Sequence, residues 1–134
     1  MSEMSQGKPT VLIADNKRID AACLKLLLER DGFQVEIVEY EDDVLEKIKN
    51  QSYYAILLAN QSFNNLNGIE VTKKIRDYFH KVHTHMPIIG LASSAIQAEM
   101  RGFLAAGADA CLAKPVYKNE LYDVLKQTLK KVRV

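Results

Sequence analysis

The sequence contains no tryptophan and only two cysteines, Cys23 and Cys111, which lie far apart and form no Cys-x-x-Cys pair. A disulfide framework and a paired redox motif are therefore excluded, and we expect both thiols to be buried and reduced. No apolar run approaches the roughly 20 residues that a membrane-spanning helix needs. The polar stretch from Met1 to Pro9 also lacks the apolar core of a signal peptide. These absences predict a soluble protein of a reducing compartment, which we expect to be the cytoplasm.

Neither sign of charge is in excess, since 18 Lys and Arg residues face 17 Asp and Glu residues for a formal net charge of +1. This balance excludes a generally basic nucleic-acid binder, and the sequence has no glycine-rich phosphate-binding motif that would indicate a nucleotide cofactor. What the chain does have is 134 residues, 48% of them apolar, which is enough for one domain with a proper core. We expect residues 9–134 to form that domain, after a flexible segment at residues 1–8.

Short apolar runs alternate with helical patterns along the chain. The runs are rich in β-branched residues and too short for helices, so they predict buried strands. The predicted strands are Thr10–Ala14, Gln34–Val38, Tyr54–Ala59, Pro87–Leu91 and Ala110–Ala113. The predicted helices are Arg18–Arg30, Asp42–Lys49, Ile69–Phe79, Ala95–Ala106 and a last one from about Tyr117. This alternation with short connections predicts an α/β fold, a doubly wound parallel sheet with helices on both faces.

The residues that directly follow each strand are the candidates for chemistry. Ligands of doubly wound sheets bind where the carboxyl ends of the strands meet. The strand-end residues of this chain are Asp15-Asn16, Asn60, Ala92-Ser93 and Lys114-Pro115.

Five segments together resemble one known family. They are VLIADN at 11–16, LLLERDGFQVEIVE at 26–39, YYAILLA with NGIEVTKKIR within 53–76, PIIGLASSA at 87–95 and AGADACLAKPV at 106–116. In order and spacing they are similar to the receiver domains of bacterial response regulators, above all to receivers attached to hybrid sensor histidine kinases. The resemblance covers the chain from about Lys8 to Lys130. It implies five parallel strands in the order 2-1-3-4-5, the receiver variant of the flavodoxin-like topology.

The resemblance also implies a phosphoacceptor pocket. In that family an aspartate after strand three takes a phosphoryl group from a phosphohistidine, and acids after strand one hold the Mg²⁺ that assists the transfer. A threonine or serine after strand four and a lysine before proline after strand five contact the phosphoryl group. A switch aromatic three residues before the lysine then couples the pocket to the output face.

Carried over position by position, most of these groups are missing from this sequence. The acid pair is Asp15-Asn16, and counting eight residues back from Gly68 puts Asn60 at the acceptor position. The hydroxyl position is Ala92, the switch position is Cys111, and the lysine is kept as Lys114 before Pro115. Several family positions are lost at once. A single substitution introduced at the acceptor position therefore does not account for the missing groups.

The chemistry of these losses predicts a degenerate receiver, or pseudoreceiver. An amide cannot attack phosphorus as a carboxylate does, so no catalytic residue and no enzymatic activity are predicted. Mg²⁺ prefers carboxylates, and its site is expected to be lost at Asn16 and Asn60, which leaves no metal and no cofactor. Counting only Asp15 and Lys114, the pocket is neutral. We therefore expect a phosphorylation-independent interaction module of two-component signalling.

Three alternatives remain open from the sequence. The domain could be a working phosphoacceptor that uses a non-standard residue such as Asp15. Asn60 could serve only as a cap for the turn or helix that follows it. Lys114 could point to solvent, although the resemblance favours an inward lysine that pairs with Asp15 or with the Asn60 carbonyl oxygen.

The expected partner is a histidine kinase, a phosphotransfer domain, an output domain or a second copy of the chain. The resemblance points to the face made by helix four, strand five and helix five, and there we expect Phe103, Cys111, Tyr117 and Tyr122 to form a contact patch. The alternative docking site is the start of helix one around Lys17–Ile19 with the loop at Pro115-Val116. No contact with nucleic acid or with a membrane is expected, even if the domain is the cytoplasmic part of a membrane-bound hybrid kinase.

Overall fold

The computed structural model describes residues 8–41, 43–60, 67–81, 85–93 and 97–133. Its centre is a parallel sheet of five strands in the order β2-β1-β3-β4-β5. The strands are β1 (Thr10–Ala14), β2 (Gln34–Val38), β3 (Ala55–Ala59), β4 (Ile88–Ala92) and β5 (Ala110–Ala113). The helices are α1 (Arg18–Arg30), α2 (Asp43–Asn50), α3 (Gly68–Lys81), α4 (Gln97–Ala106) and α5 (Lys118–Arg133). The predicted fold class and strand order are confirmed.

The observed strands and helices depart from the predicted ones by a few residues at their ends. β4 begins at Ile88 because Pro87 has no N–H to donate to the ladder, and it continues to Ala92. Helix α3 is longer than predicted at both ends. Some predicted positions lie outside the described residues, namely the helix starts at Asp42 and Ala95 and residues 1–7 of the expected flexible segment.

Two apolar layers cover the two faces of the sheet. On one face α1 and α5 pack through residues such as Leu28 and Leu121. On the other face α2, α3 and α4 pack through residues such as Val44, Ile75 and Phe103. The strands β1, β3 and β4 lie between the layers and are buried along nearly their whole length, as their continuous apolar sequences predict. Within the described ranges, no helix is both long and apolar enough to cross a membrane.

The two cysteines differ in exposure. Cys23 is exposed, because α1 buries the stripe of Ala21, Leu24 and Leu28 and turns position 23 away from the sheet. Cys111 on β5 is half-buried. The expectation of two buried thiols was therefore wrong for Cys23.

Phe103 is a core residue and not part of an exposed patch, which corrects the sequence-based assignment. Its side chain is 0% exposed and packs in the layer that α2, α3 and α4 form. The cause is Gly90 in β4: a Cβ atom at that position would lie 2.4 Å from Phe103 Cγ. The glycine thus leaves room for the ring to lie against the strand, and the ring cannot contact a partner.

Candidate functional site

The carboxyl ends of β1, β3, β4 and β5 bring four of the predicted residues to one edge of the sheet. Asp15 directly follows β1, Asn60 follows β3, Ala92 ends β4 and Lys114 follows β5. The backbone joins these ends as well, since the Lys114 N–H donates to the Ala92 carbonyl oxygen over 3.0 Å. The edge contains two separate side-chain clusters, one around Lys114 and one around Asn60.

The first cluster consists of Lys114, Asp15 and Asp20. The Lys114 ammonium lies 2.6 Å from Asp15 Oδ2 and 3.0 Å from Asp20 Oδ2. The other Asp15 oxygen, Oδ1, accepts the Lys17 backbone N–H over 3.0 Å. The Asp15 side chain is 0% exposed and that of Lys114 is 11% exposed. The prediction of an inward lysine that pairs with Asp15 is confirmed, and a solvent-facing Lys114 is ruled out.

Asp20 was missed by the sequence analysis. It lies in the first turn of α1, where an acid is common because it interacts favourably with the positive end of the helix dipole. Because an acid is ordinary at this position, nothing in the sequence indicates that Asp20 contacts Lys114 after the last strand. With Asp20 counted, the Lys114 cluster has a formal charge of −1, so the predicted neutral pocket was wrong.

The second cluster forms around Asn60, at the predicted acceptor position. The Asn60 Oδ1 atom accepts the Ile69 backbone N–H over 3.1 Å, at the start of α3. Gly68 makes this approach possible, because a Cβ atom there would lie 2.0 Å from the Ala59 carbonyl oxygen. Asn60 therefore does cap a helix, as the alternative interpretation held.

Capping is only half of what the Asn60 side chain does. Its Nδ2 group donates to Glu99 Oε2 over 3.1 Å. The second oxygen of the same carboxylate, Glu99 Oε1, accepts the Ser93 backbone N–H over 3.1 Å and the Ser93 hydroxyl over 3.3 Å. Glu99, on α4, was also missed by the sequence analysis.

The other predicted residues, Asn16, Ala92 and Cys111, belong to neither of these two clusters. Ala92 is fully buried and its methyl group offers no hydrogen bond. Asn16 is half-buried beside Asp15. Cys111 is half-buried, and burial raises the pKa of its thiol to about 11. In the part of the chain that the structure describes, no group of three or more His, Cys, Asp or Glu side chains is placed to hold a metal ion.

The four residues of the predicted contact patch do not form one surface. Tyr117 is 63% exposed. Tyr122 is half-buried, packs in the layer of α1 and α5, and donates its hydroxyl to the Leu27 carbonyl oxygen over 3.1 Å. Cys111 packs in the opposite layer, with Phe103. Only Tyr117 of this set is openly available to a partner.

The alternative docking site is more exposed. Ile19 at the start of α1 is 79% exposed. A mostly apolar groove lies between α1 and the loop after β5, with Cys23, Leu27, Pro115 and Val116 among its lining residues. The groove includes part of the Lys114 cluster, since Lys114 and Asp20 also line it.

Comparison with known proteins identifies the family. The model of the response regulator receiver domain matches residues 11–126. The chain belongs to this family. The match includes every strand-end residue described above.

The curated relatives of the receiver include sensor kinases. The receiver is 34% identical over 120 residues to the autoinducer 2 sensor kinase/phosphatase LuxQ of Vibrio vulnificus (strain YJ016), a match that covers 90% of the receiver and 13% of LuxQ. It is 29% identical over 119 residues to the sensor histidine kinase RcsC of Escherichia coli (strain K12), covering 89% of the receiver and 12% of RcsC. The receiver thus spans only a small part of each of these proteins.

Solved structures show the same fold. A CheY-like receiver domain protein from Methanospirillum hungatei JF-1 matches with a TM-score of 0.81 and 26% identity, covering 95% of this chain and 98% of that one. The receiver domain of a sensor histidine kinase from Pseudomonas aeruginosa PAO1, solved with a magnesium ion coordinated in its active-site cleft, matches with a TM-score of 0.80 and 25% identity. That match covers 92% of this chain and 99% of the other.

Proposed function

We propose that this receiver is a phosphorylation-independent interaction module of two-component signalling. The observation that carries the proposal is the bonding of Asn60. Both polar atoms of its side chain are used within the chain, Oδ1 on the Ile69 N–H and Nδ2 on the Glu99 carboxylate. An amide is no nucleophile towards phosphorus, and this amide has a structural use at the acceptor position.

The bonding of Asp15 supports the loss of the Mg²⁺ site. Phosphoryl transfer depends on a cation that neutralises the transferring oxygens, and Mg²⁺ is usually held by carboxylates and water. Here one Asp15 oxygen accepts from the Lys114 ammonium and the other from the Lys17 N–H. The Lys114 ammonium already supplies one positive charge beside this carboxylate. The side chains that are present do not suit Mg²⁺, and no step of the proposed function uses it.

The same bonding argues against the rival function, in which Asp15 itself accepts the phosphoryl group. The Asp15 side chain is 0% exposed and both its oxygens are engaged. An attacking oxygen must approach phosphorus in line with the leaving group, which a buried and fully bonded carboxylate is poorly placed to do. We therefore favour the interaction module over an acceptor at Asp15.

The test is phosphorylation by a small donor. The protein is incubated with acetyl phosphate and Mg²⁺ and analysed by intact mass, next to the Asn16→Asp/Asn60→Asp variant, which restores the acids. We expect the mass of the native chain to remain unchanged. A stoichiometric gain of about 80 Da that hydroxylamine removes would refute the proposal, because it would indicate an acyl phosphate. Peptide mapping would then show whether Asp15 carries it.

The proposed partner is a histidine kinase or a phosphotransfer or output domain, or else a second copy of the chain. A module that works beside such a kinase acts in the cytoplasm and itself catalyses nothing. Two exposed positions, Ile19 and Tyr117, distinguish the docking sites. If the output face is used, Tyr117→Ala should weaken binding by about 1–3 kcal/mol while Ile19→Asp leaves it unchanged. The reverse result would place the partner on α1.

A further inference from the structure

Glu99 is unusual for a residue near the start of a helix, because its carboxylate binds groups that lie outside its own helix. It is the third residue of α4 and is half-buried. Three donors from two strand ends converge on it: the Asn60 Nδ2 group after β3, and the N–H and hydroxyl of Ser93 after β4. Both carboxylate oxygens are therefore bound at the carboxyl edge of the sheet.

These three donors form a small cradle for an oxyanion. All of them are neutral, and hydrogen bonds from neutral donors to a carboxylate are roughly twice as strong as those between two neutral groups. The ammonium of Lys114 is bound by Asp15 and Asp20, so it is engaged in the other cluster. The Glu99 charge also reaches Cys111, where it adds to the rise of the thiol pKa.

The cradle explains why an amide suits position 60. The Asn60 Nδ2 atom lies 3.1 Å from Glu99 Oε2. An aspartate there would place two carboxylates in contact and remove one donor, and like charges at such a distance repel. Asn60 and Glu99 are thus matched in charge and in hydrogen bonding.

We propose that Asn60 and Ser93 form an oxyanion-binding site whose ligand is the receiver's own Glu99 carboxylate. Because Glu99 belongs to α4, the bound carboxylate holds the start of this helix against the ends of β3 and β4 without any added group. The inference rests on the proposed function, since a receiver that signals without phosphorylation needs its helices held by internal contacts. It adds the identity of the internal ligand and the class of external ligand that could replace it, a small carboxylate or another oxyanion.

The experiment compares Glu99→Ala with Glu120→Ala. Glu120 is the third residue of α5 and is exposed, so both variants lose an acid from the same position of a first turn. Hydrogen exchange of the α4 backbone amides is the measurement. We expect Glu99→Ala to speed exchange in α4 about tenfold or more, as the loss of a hydrogen bond to a charged group implies, and Glu120→Ala to leave α4 unchanged. Equal exchange in the two variants would overturn the proposal.

Acetate tests whether the cradle is a binding site. Added sodium acetate should slow α4 exchange again in Glu99→Ala, and sodium chloride at the same ionic strength should not. If the two salts act alike, Asn60 and Ser93 do not form a binding site for an oxyanion, and Glu99 only holds α4 against the strand ends. Glu99→Gln provides a second variant in case the alanine variant fails to fold. It keeps the shape of the side chain but should also speed α4 exchange, because its NH₂ group cannot accept a bond.

A charge-swap cycle gives an independent check. Asn60→Asp should speed α4 exchange in the native background, and adding Glu99→Gln should reduce that effect, because the repulsion is then removed. If the effects of the two substitutions on α4 exchange simply add, Asn60 and Glu99 are not a matched pair and the proposal is overturned. The acetyl phosphate experiment is separate from these readouts: labelling would defeat the proposed function, whereas unlabelled protein with unchanged α4 exchange in Glu99→Ala would defeat only this inference.

Discussion

Replacing Lys114 by methionine tests the energetics of the Asp15 cluster directly. The substitution keeps the length and the apolar stem of the side chain but removes the ammonium that lies 2.6 Å from Asp15 Oδ2. Asp15 is 0% exposed, so its charge would be left in the protein with the Lys17 N–H as the one remaining partner of its side chain among the described residues. Breaking a buried ion pair by removing one partner typically costs about 3–5 kcal/mol. We expect the free energy of unfolding to fall by that amount at pH 7.

The assay is urea unfolding of Lys114→Met at pH 7, beside two further variants. Adding Asp15→Asn should recover most of the loss, because the unpaired charge is then gone. Asp20→Asn alone should lower the free energy of unfolding by less than about 1 kcal/mol. The Asp20 side chain is 40% exposed, so solvent screens its interaction with Lys114.

The matched control is Lys25→Met, an exposed lysine on α1. This substitution should change the free energy of unfolding by no more than about 0.5 kcal/mol. The reasoning would be refuted if Lys114→Met and Lys25→Met cost the same, or if the loss caused by Lys114→Met did not depend on Asp15. Either result would mean that the lysine and the buried acid contribute nothing together.

Three further predictions concern other parts of the chain. At pH 8 a thiol-specific disulfide reagent should label the exposed Cys23 rapidly and Cys111 slowly, because burial raises the pKa of Cys111 to about 11; equal rates would contradict this. Tyr53→Phe should lower stability at pH 7 by about 1 kcal/mol. It should also flatten the loss of stability in acid, because the Tyr53 hydroxyl is the main cause that lowers the pKa of Glu36 from its ordinary value of 4.5. In the native chain that contribution is present above pH 4.5 and disappears as the pH falls through the lowered pKa of Glu36, which urea unfolding from pH 3 to 7 would show. Gly90→Ala should cost about 1–3 kcal/mol in thermal or urea unfolding, since its methyl group would lie 2.4 Å from a buried aromatic ring; unchanged stability would mean that the ring moves freely.

Several features of the site follow from local sequence alone. Continuous apolar runs define buried parallel strands, and residues after such strands meet at one edge because all the strands point the same way. That is why the sequence alone could place Asp15, Asn60 and Lys114 at one edge. The family resemblance then favoured an inward Lys114, with Asp15 as one of two possible partners, and the structure shows the pairing with Asp15. The strand order came from the family resemblance and not from periodicity.

Other features depend on contacts that no local pattern encodes. Asp20 contacts a lysine that is 94 positions away, and Glu99 contacts Asn60 across 39 positions. Each acid lies in the first turn of its helix, an ordinary place that says nothing about what a flexible side chain will reach. The sequence analysis therefore missed both acids and the charge they bring.

For the predicted contact patch as well, packing between distant elements decided what the sequence did not. Periodicity indicates which stripe of a helix is apolar, but Phe103 and Tyr122 were assigned to the patch through the family resemblance. Whether such a ring is buried depends on the element opposite it. Gly90 leaves room for Phe103 against β4, and the Leu27 carbonyl oxygen accepts the Tyr122 hydroxyl. The sequence by itself determined the elements and their order along the chain, because these follow from composition and spacing, whereas the acceptor position was assigned from the family resemblance. Only the tertiary structure decided which side chains fill the pocket and which remain exposed, because both depend on distant parts of the chain that packing brings together.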